Sequence, residues 1–149
     1  MLKRIAQRTK TDCAICVIAM VMGQPYSYER VLTDSSRYPA ETSDGKFVDW
    51  WRSYLAAEGF ETEYRRFLDI YAIPKFAGSM SAILAMTIPH LKAVHVVAID
   101  EIGIVDPAND SPDHAAIQDY LQSRLSDGVV FDDAFLAVWR PGAAKASQR

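Results

Sequence analysis

The sequence predicts an α+β fold in a single domain. Helical patterns occupy the first half of the 149-residue chain, and strand patterns occupy most of the second half. A wholly apolar ten-residue run, 13–22, predicts a helix that is buried on all sides. Half of the residues are hydrophobic and 23% are charged, which is the balance of a domain with its own core. We expect one domain over residues 1–141 and a disordered tail over 142–149, where the residues are small and polar.

Three helices are predicted before residue 60. The first follows Asp12, a favourable N-cap residue, and ends at Gly23. The second is short, from about Tyr28 to Thr33, with Ser27 as its cap. The third carries an apolar stripe at helical spacing and ends at Gly59. That stripe consists of Phe47, Trp50, Trp51, Tyr54 and Leu55.

The second half predicts an antiparallel sheet. A tight turn containing Gly103 joins two of its strands. The predicted strands cover residues 61–64, 81–88, 93–99, 104–105 and 134–139. A helix over 112–125 precedes the last strand, and one of its faces is formed by Ile117, Tyr120, Leu121 and Leu125.

Charge and hydropathy exclude several classes of function. The net charge of −3 and the pI near 5.6 give no electrostatic basis for binding nucleic acid or an anionic membrane surface. The basic start, Met1–Arg4, is not followed by the apolar segment of a secretory signal. The apolar run 13–22 is too short to cross a bilayer. We therefore expect a cytoplasmic protein, and the pattern predicts no particular oligomeric state.

The two cysteines differ in expected reactivity. Cys13 lies in the first turn of its helix, where unpaired N–H groups and the helix dipole favour the thiolate. Cys16 lies one turn deeper in the apolar helix, where burial favours the unreactive thiol. Their spacing also allows a redox pair or half of a zinc site, but no second Cys or His pair at ligand spacing accompanies them. A small buried hydrophobic role remains the structural alternative for Cys13.

Three further residues are candidate partners of Cys13. His95 lies in an apolar strand and Asp106 ends the next one, so a hairpin would bring the carboxylate beside the imidazole, as a catalytic histidine requires. Gln7 lies in the loop before the helix, where its amide could join the Cys13 backbone N–H in stabilising an oxyanion. Each has an ordinary alternative: a structural histidine, an Asp-Pro turn and a polar loop residue.

The remaining histidines are weaker candidates. His90 follows Pro89 at a strand end, near the same sheet edge as His95, so a metal site of His90, His95 and a carboxylate is an alternative. His114 lies at the start of a predicted helix and is expected to be solvated. We expect no metal ion and no cofactor.

Four features occur in a fixed order along the chain. Gln7 precedes Cys13 by six residues, an apolar helix follows the cysteine, His95 opens a His-Val-Val run, and Asp106-Pro107 follows a short hairpin. This order resembles the papain-like cysteine peptidase superfamily. It is most similar to the branch of leader peptidases found at the start of bacteriocin-exporting ABC transporters, in a free-standing form. The resemblance covers roughly residues 7–107.

The resemblance implies a papain-like fold and a cysteine peptidase that cleaves a peptide or related amide bond in a peptide or protein substrate. It assigns Cys13 as nucleophile, His95 as general base and Asp106 as the group that orients the histidine. Gln7 would complete the oxyanion hole. The glycine that this branch carries after the cysteine is Ala14 here. The alternative is therefore a peptidase fold that binds a peptide or protein without turnover.

Overall fold

A computed structural model describes residues 1–38, 48–67, 69, 73, 76, 80–108 and 113–141. Its architecture is α+β, as the sequence predicts. Four α-helices lie within the described ranges: α1 Cys13–Met22, α2 Tyr28–Ser35, α3 Val48–Ala57 and α4 Ile117–Ser126. The strands there are β1 Glu61–Arg66, β2 Ser81–Ile88, β3 Ala93–Ile99, β4 Ile104–Val105, β5 Val130–Phe131 and β6 Ala134–Trp139. The predicted tail and Phe47 lie outside the described residues.

The six strands form one antiparallel sheet. Its order is β1-β6-β2-β3-β4, and β5 also pairs with β2. Four strands have the bounds that the sequence predicts, while β1 runs two residues further, to Arg66. Strand β5 is absent from the prediction because two residues are too few to show a periodic pattern. A 3₁₀ turn over Pro89–Leu91 connects β2 to β3.

The sheet separates two hydrophobic cores, because alternate strand residues point to opposite faces. The first core lies on one face of the sheet and contains α1 together with side chains from α2 and α3. The sheet contributes Ile83, Val96 and Leu136 to this core. The second core includes α4 and lies on the other face, with Leu84, Val97 and Phe135. Every α1 residue except Ala14 is buried, which confirms the predicted buried helix.

The predicted capping role of the Asp12 side chain is wrong. Asp12 stands at the N-cap position of α1, but its carboxylate caps no helix N–H group. It accepts hydrogen bonds from the N–H groups of Arg8 and Thr9, at 3.0 and 3.2 Å, and from the Tyr28 hydroxyl at 2.7 Å. These donors, in the preceding loop and in α2, occupy the Asp12 carboxylate in place of the N–H groups of α1. By contrast, Ser27 caps α2 as predicted, accepting from the Arg30 N–H at 3.1 Å.

Helix α4 begins later than the predicted residue 112, at Ile117. The described residues before it, 113–116, are not helical, and Ala115 forms a two-bond bridge with Ile104 at 2.8 Å. The backbones approach so closely that a Cβ on Gly103 would collide with the Ala115 carbonyl oxygen. Tertiary pairing thus takes the backbone groups that a longer helix would have used. None of the helices in the described ranges has the length and apolarity needed to cross a membrane.

Candidate functional site

Cys13 lies where the N terminus of α1 meets an open edge of the sheet. Strand β4 pairs only with Ala98 and Ile99, so the first half of β3 has no neighbour on that side among the described strands. The Cys13 sulfur lies there, 4.0 Å from the Val94 carbonyl oxygen, and the residue is 8% exposed. The positive end of the α1 dipole therefore faces the strand that carries His95.

His95 contacts both other members of the predicted set. Its Nε2 lies 2.7 Å from Asp106 Oδ1, which leaves Nδ1 as the ring nitrogen available to Cys13. Burial lowers the pKa of the imidazole, but the hydrogen bond with Asp106 and the interaction with Cys13 outweigh it and raise the pKa to about 9. These contacts therefore favour the protonated form of the His95 ring. The structure brings Cys13, His95 and Asp106 together from three separate segments.

Asp106 is the most heavily bonded side chain of this site and is 2% exposed. Its Oδ1 accepts from His95 and from the Ala108 N–H at 2.8 Å. Its Oδ2 accepts from the Tyr120 hydroxyl at 2.5 Å and from Arg124 Nη2 at 2.9 Å. Burial alone would raise the pKa of this carboxyl, but the bonds from His95, Tyr120 and Ala108 hold it well below its usual range. Asp106 is thus a fixed, ionised acceptor for the imidazole.

Tyr120 and Arg124 were not identified as site residues from the sequence. Tyr120 is predicted there only as part of an apolar helix face, and Arg124 is not singled out. The available signal is their i, i+4 spacing on α4, which puts a hydroxyl and a cation on one face of the helix. That spacing does not say which acceptor they reach, because the carboxylate comes from the end of β4.

The N-terminal segment holds the turn that carries Asp106. Arg4 Nε donates to the Asp106 carbonyl oxygen at 2.9 Å, and the same guanidinium donates to the Ala108 carbonyl. The Gln7 N–H donates to the Pro107 carbonyl at 2.7 Å. These bonds connect the loop that leads into Cys13 with the turn that follows β4. The nucleophile candidate and its distal partner are therefore linked through backbone as well as through His95.

The Gln7 side chain is half-buried, and its amide nitrogen donates to the Thr9 carbonyl oxygen at 3.2 Å. A primary amide has two N–H donors, so one remains for a further acceptor. The backbone bond to Pro107 keeps Gln7 beside the site. Its role in an oxyanion hole remains a prediction.

The other candidates differ from the central three. Both cysteines are free, and burial raises the pKa of Cys16 to about 12, so the Cys16 thiol is inert.

His114 is not solvated as predicted: its Nε2 lies 2.8 Å from Asp100 Oδ2, and the side chain is 15% exposed. It is half-buried because Ala115 pairs with Ile104 of β4, so residues 113–116 do not begin a helix. His90 is exposed in the 3₁₀ turn. Within the described residues no three His, Cys, Asp or Glu side chains are grouped to hold a metal ion.

A cavity of about 450 Å³ opens beside Cys13. We define its floor as its buried lining residues, Cys13, Trp51 and Val96. We define its mouth as the exposed ones, Lys10, Thr11, Lys92 and Val94. Ligand pockets commonly span roughly 300–1,000 Å³. The Cys13 thiol therefore lines a space that admits a ligand, while its partners His95 and Asp106 lie behind it and outside the described lining.

No protein-family model matches the chain, and no curated protein matches its sequence.

Proposed function

We propose that this protein is a cysteine peptidase, or a closely related thiol hydrolase, that cleaves a peptide or related amide bond. Cys13 is the nucleophile, His95 the acid and base, and Asp106 the group that orients His95. One observation carries the proposal: His95 lies between Cys13 and a buried carboxylate that holds its far nitrogen at 2.7 Å. That arrangement is the one a nucleophile and base need.

The proposed reaction begins from a Cys13 thiolate paired with the His95 imidazolium. The thiolate sulfur attacks the carbonyl carbon, and the resulting oxyanion accepts hydrogen bonds from the Cys13 N–H and the Gln7 amide. His95 transfers its proton to the leaving amine nitrogen as the carbon–nitrogen bond breaks, which leaves a thioester on Cys13. Water then attacks the thioester, with His95 taking the water proton, and the acid product leaves.

Asp106 acts in both steps without changing its own protonation state. Because its carboxylate holds Nε2, the other ring nitrogen, Nδ1, is turned toward the cysteine, and the positive charge of the imidazolium is stabilised. Tyr120 and Arg124 are positioning residues, since they touch Asp106 and do not reach the reacting atoms. This part of the network supports a constant imidazole orientation through the catalytic cycle.

The first test follows the rate of Cys13 alkylation by iodoacetamide from pH 5 to 10. We expect a rate that stays high well below the pH near 8.5 at which a free thiol titrates, and a fall of at least tenfold near pH 6 in His95→Ala. Mass spectrometry assigns the adduct, and Cys16→Ala is the matched control that keeps the profile. An ordinary thiol profile that His95→Ala leaves unchanged would refute the hydrolase proposal.

The family part of the proposal has its own support. The papain-like assignment, in the leader-peptidase branch, is supported by the order of Gln7, Cys13, His95 and Asp106 and by the α+β architecture. Two free cysteines are compatible with the reducing cytoplasm that we propose as the site of action.

A binding module without turnover is the second candidate. Its supporting observation is the cavity, which would hold a peptide whether or not bond cleavage follows. A mixed peptide library, analysed for new termini by mass spectrometry, separates the two functions. Cleavage that disappears in Cys13→Ala supports the enzyme. Peptide binding that survives Cys13→Ala, together with an ordinary Cys13 thiol and no new termini, favours the binding module.

A further inference from the structure

We propose that the cavity beside Cys13 binds an acidic peptide segment, in which an apolar residue is flanked by glutamate or aspartate. This inference rests on the proposed function and names the substrate class of the same site. It depends on two observations, the charge of the mouth and the apolar lining of the cavity.

The mouth carries two cations in a chain whose net charge is −3. Lys10 and Lys92 are exposed and line the cavity, and no acidic side chain among the described residues lines it with them. No described side chain that lines the cavity therefore neutralises their positive charge. A ligand with carboxylates would be attracted to this mouth, whereas a basic ligand would be repelled.

Lys92 also has an unusual backbone. Its φ of 50° and ψ of 41° lie in the left-handed region, where glycine or asparagine is more readily accommodated. A lysine at this position has an unfavourable backbone conformation, and its side chain supplies a cation to the mouth. Replacement by glycine would therefore remove the charge without adding strain.

The described lining residues of the floor are apolar apart from the Cys13 thiol. Trp51 is 3% exposed and lies there with Val96. The indole Nε1 is itself shielded from the cavity, so a ligand contacts the ring and not the N–H group. A peptide side chain that fills this floor is therefore apolar.

The apolar side chain of the proposed segment follows from the rest of the lining. Val94 of the mouth, Val96 of the floor and Ala14 give the cavity an apolar lining beside the Cys13 thiol. A leucine-sized side chain would cover this lining, while its acidic neighbours along the peptide reach the two lysines of the mouth. The cavity volume of about 450 Å³ is ample for such a side chain.

The test measures binding to the full-length Cys13→Ala variant by fluorescence polarisation. Three labelled peptides share the frame Ala-X-Leu-X-Ala, with X as glutamate, glutamine or lysine. We expect the glutamate peptide to bind roughly tenfold more tightly than the lysine peptide, with the glutamine peptide between them. This difference should shrink in about 0.5 M NaCl, where exposed charges are screened.

Variants then assign the preference to the cavity. Combining Lys10→Gln with Lys92→Gly should abolish the preference for glutamate, whereas Lys3→Gln, which removes an exposed lysine outside this cavity, should preserve it.

Three results would overturn the inference: equal affinity for the three peptides, a preference that survives in the double lysine variant, or no binding of any peptide. The alkylation profile of Cys13 is independent of these results. An activated thiol without charge preference refutes the acidic substrate class alone. A charge preference without an activated thiol refutes the hydrolase and leaves an acidic-peptide-binding protein.

Discussion

At the scale of single residues, one carboxylate governs the protonation of the candidate site. Asp106 is buried and is matched by donors from a histidine, a tyrosine, an arginine and a backbone N–H group. An isolated buried carboxylate would take up a proton, and these bonds keep this one ionised. Because Asp106 stays negative, His95 keeps its proton at a pH where a free histidine loses it.

The raised pKa of His95 has a consequence for stability. The imidazole gains a proton more readily in the folded protein, at about 9, than in the unfolded chain, near 6.5. Its stabilising contribution is therefore complete below about pH 6.5 and is lost as the pH rises through 9. We expect the free energy of unfolding to fall by roughly 2–3 kcal/mol more in the wild type than in His95→Gln over this interval.

Urea unfolding at pH 6 and pH 9.5 measures this difference. Because the ionisable Cys13 thiol interacts with His95, both proteins carry Cys13→Ala in this comparison, and the remaining titrating groups contribute to both and cancel. Equal pH dependence in the wild type and in His95→Gln would show that the folded protein does not raise the pKa of His95.

At the scale of elements, helix α4 contributes to the site two side chains that bind Asp106, and it contributes no group that reacts. Tyr120 and Arg124 lie one turn apart and meet the same Asp106 oxygen. The helix also buries Ile117 and Leu121 in the second core, so its rotation about its axis is set by packing. The same packing therefore determines where the hydroxyl and the guanidinium point.

Removing the Arg124 cation should shift the titration of His95. The guanidinium shares the Asp106 carboxylate with the imidazolium, so Arg124→Met leaves more of the negative charge to stabilise protonated His95. We expect the pKa of His95 to rise by about 0.5 to 1, as measured by NMR of the ring proton, with His95→Gln used to assign the signal. The matched control is Arg66→Met, which removes an exposed pair with Asp133.

An unchanged His95 titration in Arg124→Met would mean that the arginine only supports packing. A rise of the same size in the Arg66 variant would point to net charge as the cause. Either outcome would remove Arg124 from the set of positioning residues.

The start of α1 is also shaped by a neighbouring segment. Asp12 directs its carboxylate to the loop before it and to the Tyr28 hydroxyl, and burial of this group is offset by those bonds, so its pKa is lowered. The loop between Gln7 and Asp12 is therefore held at both ends. Asp12 binds its Arg8 and Thr9 N–H groups, and the Pro107 carbonyl oxygen accepts from the Gln7 N–H. Both contacts place the loop against the residues that flank Cys13.

At the scale of the whole molecule, the site lies where the two faces of the sheet meet at an open edge. Cys13 belongs to the first core, and His95 has the same strand parity as Val97, on the face of the second core. Helix α4 and Asp106 approach from that second face. The proposed chemistry therefore requires that both layers be folded together.

Both cores should consequently unfold in one transition. Leu84 is fully buried in the second core, and Leu84→Ala should lower the free energy of unfolding by about 2–5 kcal/mol. The matched control Leu32→Ala, at a residue 48% exposed on α2, should change it by about 0.5 kcal/mol or less. Far-ultraviolet circular dichroism and tryptophan fluorescence, followed in urea, are expected to give coincident curves.

Non-coincident curves in Leu84→Ala would show that the second core unfolds alone, which contradicts a single cooperative domain. In that case, Cys13 alkylation would lose its dependence on His95 before α1 unfolds. This outcome is measurable in the same urea series.

The sequence by itself determined the local elements. Four strands and the buried helix α1 follow from apolar runs bounded by glycine, proline and polar residues, because these patterns report backbone preference and burial over a few residues. The meeting of His95 and Asp106 was equally visible, since the β3–β4 hairpin brings nearby residues together, whereas Cys13 reaches them only because α1 packs on the sheet.

Only the tertiary structure decided the contacts between distant segments. These contacts set the direction of the Asp12 side chain, the late start of α4 and the pairing of His114 with Asp100. They also bring Tyr120 and Arg124 to Asp106. A periodic pattern states which face of an element is buried, but not which polar partner lies opposite. The pairing of buried polar groups is therefore determined by packing, because the packed structure must provide a partner for every buried donor and acceptor together.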